Sequence, residues 1–381
     1  MKTNQISRVL YQQKKSVLFF CSIAFLAIVF TTQSCENEEV IESKNTVTTK
    51  EVTKNSTLGN LQSTNNEPIS NAKIKLGDQI LAISGSRGNF ALDKKDFEIN
   101  DVLIIEHDDF VTLYKVIVPN MKLFFLMKER ADLIRIGSND GGVIPVGPGG
   151  EISIPSNAFS NNGNPYNGAV DIRATYIDVT DDSELESAPG AYIADDGPGT
   201  NPYPLASYGM MEIMATIAGT TTLLDLRQGK EIKTSFPILD EDKPNDVNLY
   251  ELNRVTGYWS ELGELTAVDN TLQGSITSLN NGYNADKPCA NRRICVKIKI
   301  VYANGGTDCG IGVRGITYRG FDGLKTPDKD GYVRFWVCPN SVFQLRACRS
   351  DDPIYNTTFD LSTVIMNPFG CTDLGVWTIN N

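Results

Sequence analysis

Apolar and polar residues alternate with a period of two along most of the chain, the spacing that sends successive side chains to opposite faces of a strand. Between Pro68 and Met127 the pattern predicts short strands at 72–76, 79–83, 89–92, 102–105 and 113–118. Gly77-Asp78, Ser86-Arg87-Gly88 and His107-Asp108-Asp109 mark the reversals between them, because Gly reaches positive φ and Asp bonds its own backbone. No amphipathic helix of ordinary length fits in this block. A second block, from Ile134 to about Asp269, predicts strands at 168–176, 210–217, 223–226, 232–237 and 248–252, closed by Tyr258-Trp259. A third predicts strands at 295–302, 311–318, 332–337 and 342–347. The expected fold class is all-β, with β-sandwich domains in tandem.

Particular residues carry resemblances. The strand from Pro68 to Ile74, the turn from Ser84 to Phe90 with Gly88 ahead of an inward Phe90, and the bend from Glu106 to Phe110 resemble the regulatory-like β-sandwich module of carboxypeptidases. In the third block Thr326-Pro327-Asp328-Lys329-Asp330-Gly331-Tyr332 fits the same module. Between them Gly141-Gly142, the corner Ile154-Pro155-Ser156-Asn157-Ala158-Phe159 and Gly257-Tyr258-Trp259 resemble the ZU5-like sandwich of cartilage intermediate layer proteins and many bacterial surface proteins. These resemblances imply Ig-like or prealbumin-like sandwiches: regulatory-like modules over 67–130 and 285–381, flanking a ZU5-like domain over 131–270. They imply a structural or interaction role, with no catalytic residues to carry over.

The N-terminus breaks the alternation. Lys2, Arg8, Lys14 and Lys15 precede an apolar run from Val17 to Phe30, the charged and hydrophobic regions of a secretory signal. The run is short of the ~20 residues that span a bilayer. It ends in Thr31-Thr32-Gln33-Ser34-Cys35, which resembles a bacterial lipoprotein cleavage site, with Thr32 where that family has Leu or Val. The resemblance implies a signal peptide over 1–34 and acylation of Cys35, and several acyl chains hold a protein firmly to a membrane. Glu36, Asn37, Glu38 and Glu39 resemble the surface-export signal of some Gram-negative lipoproteins. The polar stretch 35–66 is then a flexible linker, and the expected location is the outer membrane, lipid-anchored, on the cell surface.

The 381 residues carry 35 Lys+Arg against 46 Asp+Glu, and losing residues 1–34 removes four basic and no acidic side chains. Such an acidic chain repels phosphate backbones, which excludes nucleic acid as a partner. Six cysteines, Cys289, Cys295, Cys309, Cys338, Cys348 and Cys371, fall in the last block. In an exported module they read as up to three disulfides, for which fifteen connectivities exist. Zinc needs close Cys-x-x-Cys pairs or a neighbouring His, and neither is present.

The long segment between Tyr176 and Met210 is the candidate binding loop, because connections of that length are often functional. Asp181, Asp182, Asp195 and Asp196 gather there with Tyr192 and Tyr203, whose rings would stack on sugars or pin the loop to the sheet. No twelve-residue EF-hand spacing appears among the acids, so a solvated acidic loop is preferred over a Ca²⁺ site, and Asp328 and Asp330 read as turn chemistry. Trp336 and Trp377 are either exposed platforms or core aromatics.

Catalysis finds little to work with. The one His, His107, sits at a strand end beside acids and reads as a turn residue. No nucleophile elbow, zinc-protease helix, P-loop or dinucleotide fingerprint is present. The expectation is a noncatalytic surface lipoprotein, with no cofactor and no metal, acting as spacer and as a binding or adhesion unit for carbohydrate or an extracellular protein. The alternatives are a structural subunit of an outer-membrane assembly, and below that an accessory glycan hydrolase using acids around Asp181 and Asp196.

Overall fold

The computed structural model describes residues 56–195, 197, 202–239, 247–289, 294–303, 310–347, 356–364 and 370–379. The signal peptide, Cys35, Asp196, Cys309 and Cys348 lie outside the described residues.

Seven strands make the first sandwich: β1 (Ser56–Ser63), β2 (Lys73–Leu76), β3 (Gln79–Ile83), β4 (Asn89–Asp93), β5 (Val102–His107), β6 (Phe110–Val116) and β7 (Leu123–Met127). One sheet has the order β4-β1-β7 and the other β3-β2-β5-β6. β1 runs antiparallel to β4 but parallel to β7. Alternation sends Leu61, Ile74, Leu92, Leu103, Ile105 and Leu113 inward, all without exposed surface.

The central domain follows with β8 (Ile134–Gly137), β9 (Gly142–Val146), β10 (Gly150–Ile154), β11 (Phe159–Asn161), β12 (Asn164–Pro165), β13 (Ala169–Ile177), the short helix α1 (Asp182–Glu186) and β14 (Ile193–Ala194). It continues through β15 (Tyr203–Ile217), β16 (Asp225–Leu226), β17 (Ile232–Pro237), β18 (Val247–Asn253), β19 (Tyr258–Val268), β20 (Thr271–Ile276) and β21 (Asn281–Pro288). Ten of these strands form one path, β8-β13-β15-β21-β18-β19-β20-β17-β10-β9. β19 pairs first with β18 and then with β20, which carries the sheet around a core holding Ile152, Phe159, Ile213, Phe236 and Tyr283.

The third sandwich contains β22 (Ile294–Tyr302), β23 (Ile311–Gly315), β24 (Phe321–Lys325), β25 (Tyr332–Val337), β26 (Val342–Ala347), β27 (Asn356–Asp360) and β28 (Thr372–Ile379). Its sheets, β25-β22-β28 and β24-β23-β26-β27, repeat the first sandwich strand for strand, including the parallel pairing of first and last strands. The repeat extends to single hydrogen bonds. Leu61 N donates to Gly88 O at 2.9 Å in the first sandwich, and Ile300 N donates to Gly331 O at 2.9 Å in the third. The described architecture is all-β, in tandem sandwiches.

Several boundaries differ from the sequence reading. β1 lies inside the stretch read as linker, because its inward positions are Gly59, Leu61 and Ser63, only one of them a large apolar residue. Gly59 is small for a reason: the Phe90 ring occupies the space a Cβ would fill, 2.1 Å from its nearest atom. The central sheet continues past residue 270 through β20 and β21. The expected strand at 311–318 ends at Gly315, where Tyr318 folds back over the glycine.

Candidate functional site

The acidic segment between β13 and β15 folds into the joint between the sandwiches. Asp181 caps α1, its Oδ1 accepting from Ser183 N at 2.9 Å and Glu184 N at 3.0 Å. That cap fixes the next acids in opposite directions. Asp182 pairs with Arg314 of β23 at 2.5 Å and Arg346 of β26 at 3.1 Å, in the third sandwich, while Glu184 pairs with Lys128 beyond β7, in the first. Tyr192 is buried, and its hydroxyl donates to Leu185 O at 2.6 Å. Leu185, Tyr192, Leu205 and Trp259 share a core with Val111 of the first sandwich, and Phe321 of the third packs against it together with Tyr203. Asp195 Oδ1 accepts from Gly197 N at 3.1 Å.

Other contacts complete the joint. Arg130 Nε donates to Glu212 Oε2 at 2.8 Å with both side chains buried, and its Nη1 donates to the carbonyls of His107 and Asp108. His107 therefore serves the hairpin: its Nδ1 accepts from Asp109 N at 3.1 Å and its ring meets Phe110 edge-on. First and third sandwiches touch directly, Lys122 N donating to Leu324 O and Thr326 N to Asn120 O, each at 2.8 Å. Two disulfides are formed among the described residues. Cys295–Cys371 clips the starts of β22 and β28, whereas Cys289–Cys338 joins the end of β21 to the end of β25 and so crosses from the central domain to the third.

Where the three bodies meet they leave a cleft of about 500 Å³, within the size range of small-ligand sites. Lys115 and Phe124 come from the first sandwich, Tyr192 and Tyr258 from the central domain, Arg334 and Trp336 from the third. Lys115 Nζ donates to Ala188 O at 2.6 Å; burial pulls its ammonium down to about 8, against the upward pull of Glu186. Lys325, with Nζ 2.7 Å from Asp322 Oδ2, also donates to Arg334 O, and Asp322 accepts from Trp336 N. These side chains occupy the hydrogen-bonding edge of β25, so that strand offers its face rather than its edge to a ligand. On that face Arg334 pairs with Asp328 and holds its carboxyl below the usual carboxylate range, while Asp328 also accepts from the backbone of Asp330 and Tyr332. Asp328 and Asp330 thus do turn chemistry.

Among the residues singled out from sequence, Tyr192 reaches the cleft wall, Asp181 and Asp182 serve the joint, and Asp195 bonds locally. The two tryptophans divide: Trp377 is packed in the third core and Trp336 is 42% exposed at the cleft. Sequence reasoning missed Lys115, Tyr258 and Arg334. One signal was available for the third: β25 reads Tyr-Val-Arg-Phe-Trp-Val, and its outward positions, Tyr332, Arg334 and Trp336, are all large and ring-bearing or cationic rather than merely polar. Among the described residues no group of three or more His, Cys, Asp or Glu side chains is placed to hold a metal. The arrangement offers flat apolar faces and charge-assisted donors, the chemistry of recognition.

The chain is similar to cartilage intermediate layer proteins. It is 28% identical to the human protein 1 over 216 residues, which is 52% of this chain and 18% of that one. The human protein 2 is 25% identical over 212 residues and the pig protein 1 is 31% identical over 120. The match thus spans about a fifth of those relatives. No protein-family model matches the chain. A solved structure of the major pilin subunit of Bacillus cereus covers 86% of this chain and 99% of its own at 7% identity and a TM-score of 0.16, a likeness that carries no argument.

Proposed function

We propose that this chain is a noncatalytic binding module, tethered through an acylated Cys35 to the outer membrane and displayed on the cell surface, with the three-domain cleft as its ligand site. The observation that carries the reading is the cleft itself: each domain contributes side chains to it, and the ion pairs and the crossing disulfide around it hold those side chains in fixed relation. A prearranged site loses little ordering entropy on binding. Resemblance to cartilage intermediate layer proteins supports an interaction role over part of the chain.

The test has two arms. Metabolic labelling with a clickable fatty acid should tag the full chain and fail on Cys35→Ser; protease added to intact cells should remove the tagged chain's folded portion. Glycan and extracellular-protein arrays probed with the full chain in detergent micelles should give binding lost on Tyr258→Ala, with no product released from any bound glycan. An untagged wild-type chain sinks the tether; array binding indifferent to Tyr258→Ala, or turnover of a bound glycan, sinks the site.

A further inference from the structure

A lysine is out of place on β6. Val111, Leu113 and Lys115 share one face of that strand, and the first two have no exposed surface. Register sets Lys115 opposite Leu103, another fully buried residue, so an amine stands where the alternation asks for an aliphatic side chain. Its long stem carries Nζ out of that position and into the cleft wall. There Nζ has three N–H donors but, among the described residues, one acceptor, Ala188 O at 2.6 Å, and no ion pair. The wall around it is chiefly carbon. Val116 and Val118 follow it along the chain, Phe321 comes from the third sandwich, and Tyr192 and Tyr258 add their rings from the central domain. Such surroundings penalise the ammonium and favour the free amine. With the ammonium pulled down to about 8, roughly one Lys115 in ten is unprotonated at pH 7, against on the order of one in a thousand for an ordinary lysine. A desolvated free amine is a nucleophile towards carbonyl carbon. A carbonyl ligand also brings no charge into the carbon-rich wall, which an ionic ligand would.

We propose that the cleft takes an aldehyde with a flat apolar body and holds it as a reversible imine on Lys115. The Nζ lone pair attacks the carbonyl carbon to give a carbinolamine. The carbonyl oxygen then leaves as water with the two amine hydrogens, and a C=N bond replaces C=O. Water reverses the step and nothing is oxidised or reduced, so the module captures its ligand without turning it over. The inference rests on the cleft being the ligand site and adds the ligand's class. Tyr192 and Tyr258 offer rings on which the apolar body lies, and the Tyr192 hydroxyl is already engaged with Leu185 O.

The experiment is imine trapping on the full chain in micelles. Benzaldehyde, or the small polar glycolaldehyde, is added at pH 7 with cyanoborohydride, which reduces an imine to a stable secondary amine, and the modified lysines are mapped by peptide mass spectrometry. Benzaldehyde should label Lys115 at least ~10-fold faster than Lys233, which is exposed on β17. That ratio should be ~10-fold lower with glycolaldehyde, and Tyr258→Ala should lower it ~10-fold for benzaldehyde alone. Lys115→Arg, which keeps a donor for Ala188 O, should abolish the preferred site and leave labelling at Lys233 unchanged. Circular dichroism identifies a variant that fails to fold, and the wild-type ratios decide the matter without it. Labelling with no preference for Lys115 overturns the proposal; array binding that is still lost on Tyr258→Ala then leaves the cleft standing as a noncovalent site. Equal ratios for the two aldehydes, untouched by Tyr258→Ala, overturn the ligand class and the inference with it.

Discussion

Asp286 is fully buried on β21, where its Oδ2 accepts from Asn284 Nδ2 at 2.6 Å, and Asn284 in turn accepts from Ser207 Oγ. Burial raises its carboxyl well above the usual range, more than these hydrogen bonds lower it. The folded chain therefore keeps a proton that the unfolded chain releases near pH 4, and stability falls as pH rises above that point. Asp286→Asn keeps an acceptor for Asn284 and removes the titration. Urea midpoints of the variant and wild type should be close near pH 3.5 and separate in favour of the variant by pH 7; a constant gap would contradict this. Arg130 and Glu212, both buried, behave differently. Arg130→Met leaves a buried carboxylate without its cation and should cost about 3–5 kcal/mol by denaturant titration. Neither residue stood out in the sequence, since each is one acid or base among many and only the folded joint distinguishes them. Trp336 was legible as one of two options, because a strand exposes every second residue but does not say which face has a neighbour.

At the level of elements, most strands were legible because alternation marks any strand with one buried face. β3, β17, β25 and β26 lie where the pattern puts them. β1 was not legible, since the side chain that fills its core position at Gly59 is donated by Phe90, thirty-one residues along. α1 was hidden as well: five residues held by one cap and by ion pairs to other domains have no helical period to read. The repeated turn before β4 and β25 gives a graded prediction. Gly88 and Gly331 both have positive φ, 73° and 84°, but a Cβ on Gly88 would lie 2.1 Å from Leu61 O, whereas on Gly331 the nearest atom is 3.6 Å away. Gly331→Ala should cost about 1 kcal/mol from backbone conformation alone, and Gly88→Ala clearly more. Thermal melts that rank them in the reverse order would refute the grading by the space each Cβ would meet.

For the whole molecule, the ties converge on the segment between β13 and β15, and the domains should unfold together rather than in sequence. Calorimetry of the oxidised chain should show one transition. Cys289→Ser with Cys338→Ser opens a loop of 49 residues and should cost about 2–4 kcal/mol; because that bond crosses between domains, a separate transition for the third sandwich should then emerge. If the double variant still melts as one unit, the remaining ties, namely the ion pairs of Asp182, the core shared around Tyr192 and the backbone bonds between first and third sandwiches, suffice to couple the domains. The three-body joint was not legible in the sequence, because Asp182, Arg314 and Arg346 are far apart along the chain and only chain topology brings them together.

The parallel pairing of β1 with β7 decides how the first sandwich carries a load. Tension drawn through the chain pulls Ser56 and Met127 apart along the strand direction, so the ladder from Gly59–Leu123 to Ser63–Met127 is sheared as a set instead of being unzipped rung by rung. β22 and β28 repeat that geometry, with Cys295–Cys371 fastened across the same pair of strands. A chain pulled from both ends thus meets the same mechanical resistance in its first and its third sandwich.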